Sequence, residues 1–285
     1  MFLSKKQQEM YSRQIIMRDI GEAGQTKLVE ASVLVVGCGG LGAPVLYYLT
    51  AMGIGHLGLC DGDKVTLSNL NRQVLFTTED IGKQKAEAAS TRLKTLNPDL
   101  KATVYNRNID NESAEEIIPK YDIIVDCLDN FETRFILNDT CVKSKKILVH
   151  AGISEYYGQL MTIIPGKSPC LRCIFPNGIS PLSKEGAIEK RRGFLGTYAT
   201  QSVTSKTDEP SPCPKKQMNR PPVLPVPVIG PTPGVLGAMQ AMEVAKYLLG
   251  QQVCSDGLVM YNGLELSLEK VKIEPNPNCI CAQDR

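Results

Sequence analysis

The sequence predicts an α/β fold, doubly wound, with a mostly parallel sheet, an antiparallel extension and a long crossover segment. Three observations carry that expectation. Short β-branched runs such as "SVLVVG" (32–37) and "DIIVDC" (122–127) are apolar at consecutive positions, as strands covered on both faces are. Stretches of helical composition separate these runs, so neighbouring strands run parallel and their connections cross the sheet faces. A glycine-rich turn, "GCGGLG" (37–42), joins the first strand to the helix after it.

The elements follow in order. N-terminal helices are expected over 1–31, and a nucleotide-binding core over 32–165. Within the core, a helix leaves the glycine turn through "APVLYYLTAMG". Pro44 falls in its first turn, where a missing N–H is harmless. "HLGLCD" (56–61) is the second strand. "GKQKAEAASTRLKTLN" (82–97) is helical and stops at Asn97-Pro98. "KATVYN" (101–106), "DIIVDC" and "KILVHAG" (146–152) are further strands, and "GQLMTIIP" (158–165) alternates like a half-buried one. Residues 166–233 form the crossover segment, nine of the eighteen prolines falling between Pro210 and Pro233. Over 234–285 come the helix "GVLGAMQAMEVAKYLLG", the strands "LVMYNG" and "LSLEKVKI", and a cysteine-bearing tail.

Composition excludes several classes. The chain has 285 residues, 42% apolar and 22% charged, as a globular protein has. A net charge of +2, with its cations dispersed, argues against a nucleic-acid partner. No apolar run approaches the ~20 residues of a membrane span, and "MFLSKKQQEMYSRQ" has no apolar signal core. No membrane partner is expected, and the expected location is cytoplasmic. The ten cysteines then need an account other than disulfides. Cys38, Cys60, Cys127 and Cys141 lie inside elements and read as small buried apolar groups. Cys170, Cys173, Cys213, Cys254, Cys279 and Cys281 come later and are the informative ones.

Gly37, Gly39 and Gly42 have the G-x-G-x-x-G spacing of a Rossmann-like turn, where the backbone approaches a phosphate at a helix N-terminus. Asp61, at the end of the second strand, stands where a ribose hydroxyl is read. The chain then runs on through Asp63 to Ser68, Asn69, Leu70, Asn71, Arg72 and Gln73, with Lys85 at the head of the next helix. A dinucleotide already rests on the glycine turn and needs no second layer of cations, whereas a triphosphate does. Arg72 can grip phosphate oxygens with its fork, and Lys85 supplies a point charge. Asp126, Asp129 and Asn130 fall at the carboxyl edge of the sheet. Asp129 there suits Mg²⁺, which takes one or two carboxylates plus phosphate oxygens, or alternatively an N-cap role.

Together "GCGGLG", "DGDKVTLSNLNRQ", "GKQKAEAA", "CLDN" and "CLRC" resemble the ThiF/MoeB/HesA (E1-like) superfamily, from Tyr11 to about Pro176 and again at "GVLGAMQAMEVAKYLLG". The length is similar to that of single-domain members. The resemblance implies an enzyme, an adenylyltransferase that activates the C-terminal glycine carboxylate of a small β-grasp, ubiquitin-like sulfur-carrier protein with ATP. It implies that Gly40 approaches the phosphates, Asp61 holds the ribose, and Asn69, Arg72 and Lys85 contact the phosphates with Gln73 in support. Asp129 takes Mg²⁺. Arg13 matches an arginine that the family supplies from a neighbouring subunit, which implies a homodimer. A terminal carboxylate (pKa ~3.5) is already ionised, so positioning and charge neutralisation suffice. His56 and His150 are accordingly read as structural.

"PCLRC" gives Cys170 and Cys173 a spacing suited to zinc. The family completes this site with a second C-x-x-C; here the tail reads "NCIC", leaving Cys279 and Cys281, or Cys254 as a substitute. Cys213, in "EPSPCPKKQ", is a candidate acyl or sulfur acceptor, with Lys215 and Lys216 favouring its thiolate. Two other readings stay open: adenylation of a peptide or small-molecule carboxylate by the same chemistry, and an NAD-dependent oxidoreductase, which would leave Arg72, Lys85 and Asp129 idle.

Overall fold

A computed structural model describes residues 2–175 and 227–282. The parallel strands are β1 (Ser32–Val36), β2 (His56–Cys60), β3 (Lys101–Tyr105), β4 (Ile123–Asp126) and β5 (Ile147–Ser154). Three antiparallel strands extend them: β6 (Tyr157–Ile163), β7 (Gly257–Asn262) and β8 (Ser267–Lys272). The sheet order is β3-β2-β1-β4-β5-β6-β7-β8. The order reverses at β1, so the crevice between the carboxyl ends of β1 and β4 is the ligand side of such a sheet. Direction reverses at the tight β5–β6 turn, where Glu155 takes φ 54°. The doubly wound α/β class with its antiparallel extension is the one expected from the sequence; most of the expected crossover segment over 166–233 lies outside the described residues.

Strand parity builds two cores. Val33, Val35, Leu57, Leu59, Ile123, Val125, Val149, Leu160 and Val259 face one side. There they meet α4 (Gly42–Met52), α5 (Lys85–Leu96) and α9 (Pro231–Leu248) through Val45, Leu46, Leu49, Leu93, Leu236 and Val244. Leu34, Val36, Ile124, Leu148, Met161, Ile163, Leu258 and Met260 face the other side. They pack on α6 (Asn111–Ile117), α7 (Phe131–Lys143) and α8 (Leu171–Ile174). Successive residues pointing to opposite faces is the strand period itself. Each fully buried leucine contributes about 2 kcal/mol of apolar transfer.

Three expectations change in detail. The N-terminal helices are three short pieces, α1 (Lys5–Met10), α2 (Ser12–Ile15) and α3 (Gly21–Glu30). Ser4 and Gln7 cap α1 reciprocally, and Tyr11 anchors the group by accepting a 3.0 Å hydrogen bond from Asn97 at its hydroxyl. The helix expected over 82–97 begins at Lys85, because Gly82 adopts φ 89°. β6 is buried on both faces rather than half-buried. Its polar residues find internal partners: Thr162 donates to Glu243 at 2.7 Å, and Gln159 meets the His150 ring at 3.3 Å.

Candidate active site

The glycine turn is shaped by contacts no other residue allows. Gly37 takes φ 96°, and a Cβ on Gly42 would collide with the Gly37 carbonyl oxygen. The first turn of α4 therefore lies directly on the end of β1, its N-terminus facing the crevice. A Cβ on Gly39 would come 3.4 Å from Gln73 Nε2, and one on Gly40 would come 3.6 Å from Arg72 Cγ. Glycines leave that space open, so the floor of the cradle is bare backbone. Pro233, in the first turn of α9, closes the Gly40 side, and Gly230 lies against the Asn71 carbonyl.

Asp61 ends β2. Its carboxylate accepts from the backbone N–H of Cys38 at 2.7 Å and of Asp63 at 2.8 Å. Burial pushes this carboxyl up, and Lys85 and the two N–H groups oppose the push. Both oxygens keep a free lone pair, which suits accepting a ribose hydroxyl. The following polar run forms a 3₁₀ turn, Leu67–Asn69, capped reciprocally by Thr66 and Asn69. Arg72 donates through Nη1 to the Ser68 carbonyl and to Asn71 Oδ1, each at 3.0 Å, so one edge of its guanidinium is fixed to the loop. Gln73 is buried beside Gly39, and its Oε1 has no hydrogen-bond partner among the described residues. A buried acceptor without a donor fits a site built to receive a polar ligand.

Lys85 is the first residue of α5 and is buried, with Nζ 2.8 Å from Asp63 Oδ2. A cation at a helix N-terminus opposes the macrodipole, so an anion must face it. Asp63 serves that need here, and a phosphate would serve it more strongly.

Asp129 lies beyond β4, two residues past Cys127, whose carbonyl packs against Gly37. It is exposed and makes no hydrogen bond or ion pair among the described residues. The N-cap of α7 is Asn130, not Asp129: Asn130 Oδ1 accepts from Thr133 N at 2.9 Å. That leaves Asp129's carboxylate free, and one free carboxylate beside a phosphate cradle fits Mg²⁺.

Asp126 is not a ligand. It is fully buried, accepting from Leu128 N at 3.0 Å and from His150 Nδ1 at 2.6 Å, with Arg134 Nε at 3.7 Å. Burial holds His150 below its ordinary range and therefore neutral. His56 rests on Thr103 at 2.9 Å. Both histidines are structural, as expected. Burial likewise pushes the Cys38, Cys60, Cys127 and Cys141 thiols up, so these cysteines are inert packing groups.

One expected residue, Arg13, is not gathered into this crevice. Arg13 is exposed on α2, whose neighbour Tyr11 sits against Gly53 at the far end of α4. The 11 residues of α4 separate it from the glycine turn by about 16 Å. Cys213 lies outside the described residues.

The late cysteines converge. Cys170, Cys173, Cys279 and Cys281 place their sulfurs within 4.8 Å of one another, with Cys170–Cys279 at 3.4 Å and Cys173–Cys281 at 3.5 Å. A tetrahedral Zn–S₄ centre needs S···S distances of about 3.8 Å, which the cluster fits. Cys254 stands apart, its N–H on Glu243 at 2.6 Å. Hydrogen bonding from Cys170 pulls the Cys173 thiol down to about 4, while burial pushes Cys281 up to about 12. Four thiolates this close would repel one another, and a divalent cation would relieve that repulsion. Arg172 pairs with Asp139 at 2.5 Å, and Leu171 N donates to Asn138 at 2.9 Å, tying the first pair to α7.

The ThiF family model matches residues 11–281. The chain belongs to the ThiF family. It is 35% identical to the SAMP-activating enzyme E1 of Haloferax volcanii over 283 residues, covering 99% of this chain and 91% of that relative. It is 36% identical to the sulfur carrier protein adenylyltransferase of Thermus thermophilus, covering 99% and 93%. It is 39% identical to the adenylyltransferase and sulfurtransferase MOCS3 of Xenopus laevis, of which it spans 52%. In fold it is similar to E. coli MccB with MccA-N7isoASN, at a TM-score of 0.72 and 24% identity, covering 96% of this chain and 74% of that one.

Reading by motif passed over Arg134, Gln240 and the Gly230–Pro233 lip. The signal for Arg134 was a lone cation within "FETRFILND", one turn beyond the acidic strand end.

Proposed function

We propose that this ThiF-family chain is an ATP-dependent adenylyltransferase. It joins AMP to the C-terminal glycine carboxylate of a small ubiquitin-like sulfur-carrier protein and releases pyrophosphate. The single observation that carries this reading is the buried Lys85, set at a helix N-terminus with its charge acting on Asp61 and on Cys38 of the glycine turn, while Arg72 packs beside Gly40. A triphosphate needs two such cations beside bare backbone, and a nicotinamide dinucleotide needs neither.

Each residue then has a role. Gly37, Gly39, Gly40 and Gly42 leave room for phosphate oxygens against backbone N–H groups, and Asp61 takes the ribose. Arg72 and Lys85 draw charge from the departing pyrophosphate, with Ser68, Asn69, Leu70, Asn71 and Gln73 shaping the loop that carries Arg72. Asp129 and Asn130 border the α-phosphate side. Mg²⁺, held by Asp129, would neutralise phosphate charge. The carboxylate oxygen attacks the α-phosphorus, and the bond to the pyrophosphate oxygen breaks; no proton need be moved. Zinc in the four-cysteine cluster has a structural role, fastening the tail to α7.

A homodimer fits this reading. Arg13 follows Tyr11, which packs at the end of α4 remote from the glycine turn, and Tyr48 on α4, Val235 and Met242 on α9, and Ile16 and Met17 after α2 are exposed apolar side chains. No helix among the described residues is long and apolar enough to cross a membrane.

The test is exchange of labelled pyrophosphate into ATP. Exchange should require a carrier ending in Gly-Gly and vanish with a carrier lacking that tail. Exchange with a free peptide but with no carrier would move the reading to a peptide carboxylate. Identity to carrier-activating relatives of 35–36% over nearly the whole chain favours the carrier.

A further inference from the structure

Asp129 is exposed and unpartnered, yet the loop that carries it is held by buried side chains on every side. Leu128, the residue before it, has both backbone polar groups occupied. Its N–H donates to Asp126 Oδ1 at 3.0 Å, and its carbonyl accepts a close hydrogen bond from Arg134 Nη2. The same Arg134 nitrogen donates to the Ala151 carbonyl on β5 at 3.1 Å. Gln240, from α9, donates to the Asp126 carbonyl at 2.8 Å and to the Val149 carbonyl at 3.1 Å. Asn130 begins α7 as its cap.

Arg134 is 5% exposed, and its guanidinium lies 5.4 Å from the Phe131 ring centre. Burying a guanidinium carries a desolvation penalty, and this one is poorly repaid in ion pairing. Its Nε stands 3.7 Å from Asp126 Oδ2 and has no hydrogen-bond partner. Its hydrogen bonds go instead to two carbonyl oxygens, one in the loop after β4 and one on β5. An apolar side chain would leave the buried Asp126 carboxylate without a cation and the Leu128 and Ala151 carbonyls without their donor, so Arg134 both balances Asp126 and fixes the loop. Glycine at 152 keeps the place open, since a Cβ there would come 3.2 Å from Arg134 Nη1.

We propose that Arg134 is a positioning residue for metal binding: by stapling Leu128 to Ala151 it holds the 127–130 loop so that the Asp129 carboxylate is presented to Mg²⁺. This rests on the adenylyltransferase reading above. Partners behind a metal ligand typically alter metal affinity by about 10–100-fold when removed. Arg134 would act on the metal while leaving the glycine turn, Asp61 and Lys85 untouched.

Two measurements on the full chain test it. In the nucleotide-free protein, hydrogen exchange of the Leu128 amide should speed up at least tenfold in Arg134→Gln, with the amides of α4 and α5 unchanged. In ATP binding followed by calorimetry, the Mg²⁺ concentration giving half-maximal enhancement should rise about tenfold in Arg134→Gln and less in Arg134→Lys. ATP affinity in the presence of EDTA should stay at the parental value. Because Arg134→Gln leaves Asp126 buried and unpaired, the double variant Asp126→Asn/Arg134→Gln removes both charges and should show the same Mg²⁺ shift. Variants whose Mg²⁺ dependence superimposes on the parent overturn the proposal, as does a parallel fall in metal-free ATP affinity. A parent chain that binds ATP with no response to Mg²⁺ overturns the functional reading, and this inference with it.

Discussion

Replacing Lys85 with methionine separates stability from function. In the nucleotide-free protein the Lys85 side chain is 8% exposed and its partner Asp63 66% exposed, so Asp63 is largely screened by water. Removing the pair therefore forfeits little, while the variant escapes burying a cation against the α5 macrodipole. Thermal midpoint should stay within a few degrees of the parent or rise. With a triphosphate present the balance differs. A lysine cation about 4 Å from a phosphate charge at an effective dielectric of about 20 is worth up to about 4 kcal/mol. The exchange rate should accordingly fall by about 100- to 1000-fold. Carrier-dependent pyrophosphate exchange measures the rate and calorimetric melting the stability. A methionine variant that keeps parental exchange refutes the assignment. So does one whose loss of activity matches a collapse of its melting temperature.

Three further outcomes follow from the same geometry. If Arg13 acts across a two-fold axis, mixing inactive Arg13→Ala and Lys85→Met chains should restore about a quarter of parental exchange, since half the dimers are mixed and each holds one intact site. Dialysis against a strong chelator should release one zinc per chain and lower the melting temperature; Cys281→Ser should do the same, whereas Cys254→Ser should keep full zinc content by atomic emission. Burial holds His150 and His56 below the ordinary histidine value of 6.5, so the unfolded chain takes up protons first as pH falls. Their stabilisation is present above about pH 6.5 and is lost below it, by up to about 1.4 kcal/mol per pH unit for the buried His150 and by less for the more exposed His56. Denaturant titrations from pH 7.5 to 5 should show that slope, and His150→Gln should flatten part of it.

Local pattern made much of this legible. Consecutive apolar positions marked β1, β2, β4 and β5 because both faces of a parallel strand are covered. The glycine turn, Asp61 and Lys85 could be read because each sits at an element boundary that the sequence itself signals. β6 misled because Gln159 and Thr162 look like an outward face. Their partners, His150 and Glu243, come from elements 9 and 81 residues away. The buried Asp126–His150–Arg134 cluster was hidden for the same reason, drawing on β4, α7 and β5. Asp129 and Asn130 are both good capping types, and only geometry shows that the second does the capping. The thiol cluster needed the family resemblance, because Cys170 and Cys279 meet across 109 residues.

The claim under everything is that this crevice transfers AMP to a carboxylate. An intact-mass measurement of a Gly-Gly-terminated carrier, incubated with the chain, ATP and Mg²⁺ under acidic quench, tests it most directly. The carrier should gain the mass of one adenylyl group, and removing its last glycine should abolish the gain. A carrier of unchanged mass, with the chain binding a nicotinamide dinucleotide in preference to ATP, would contradict it.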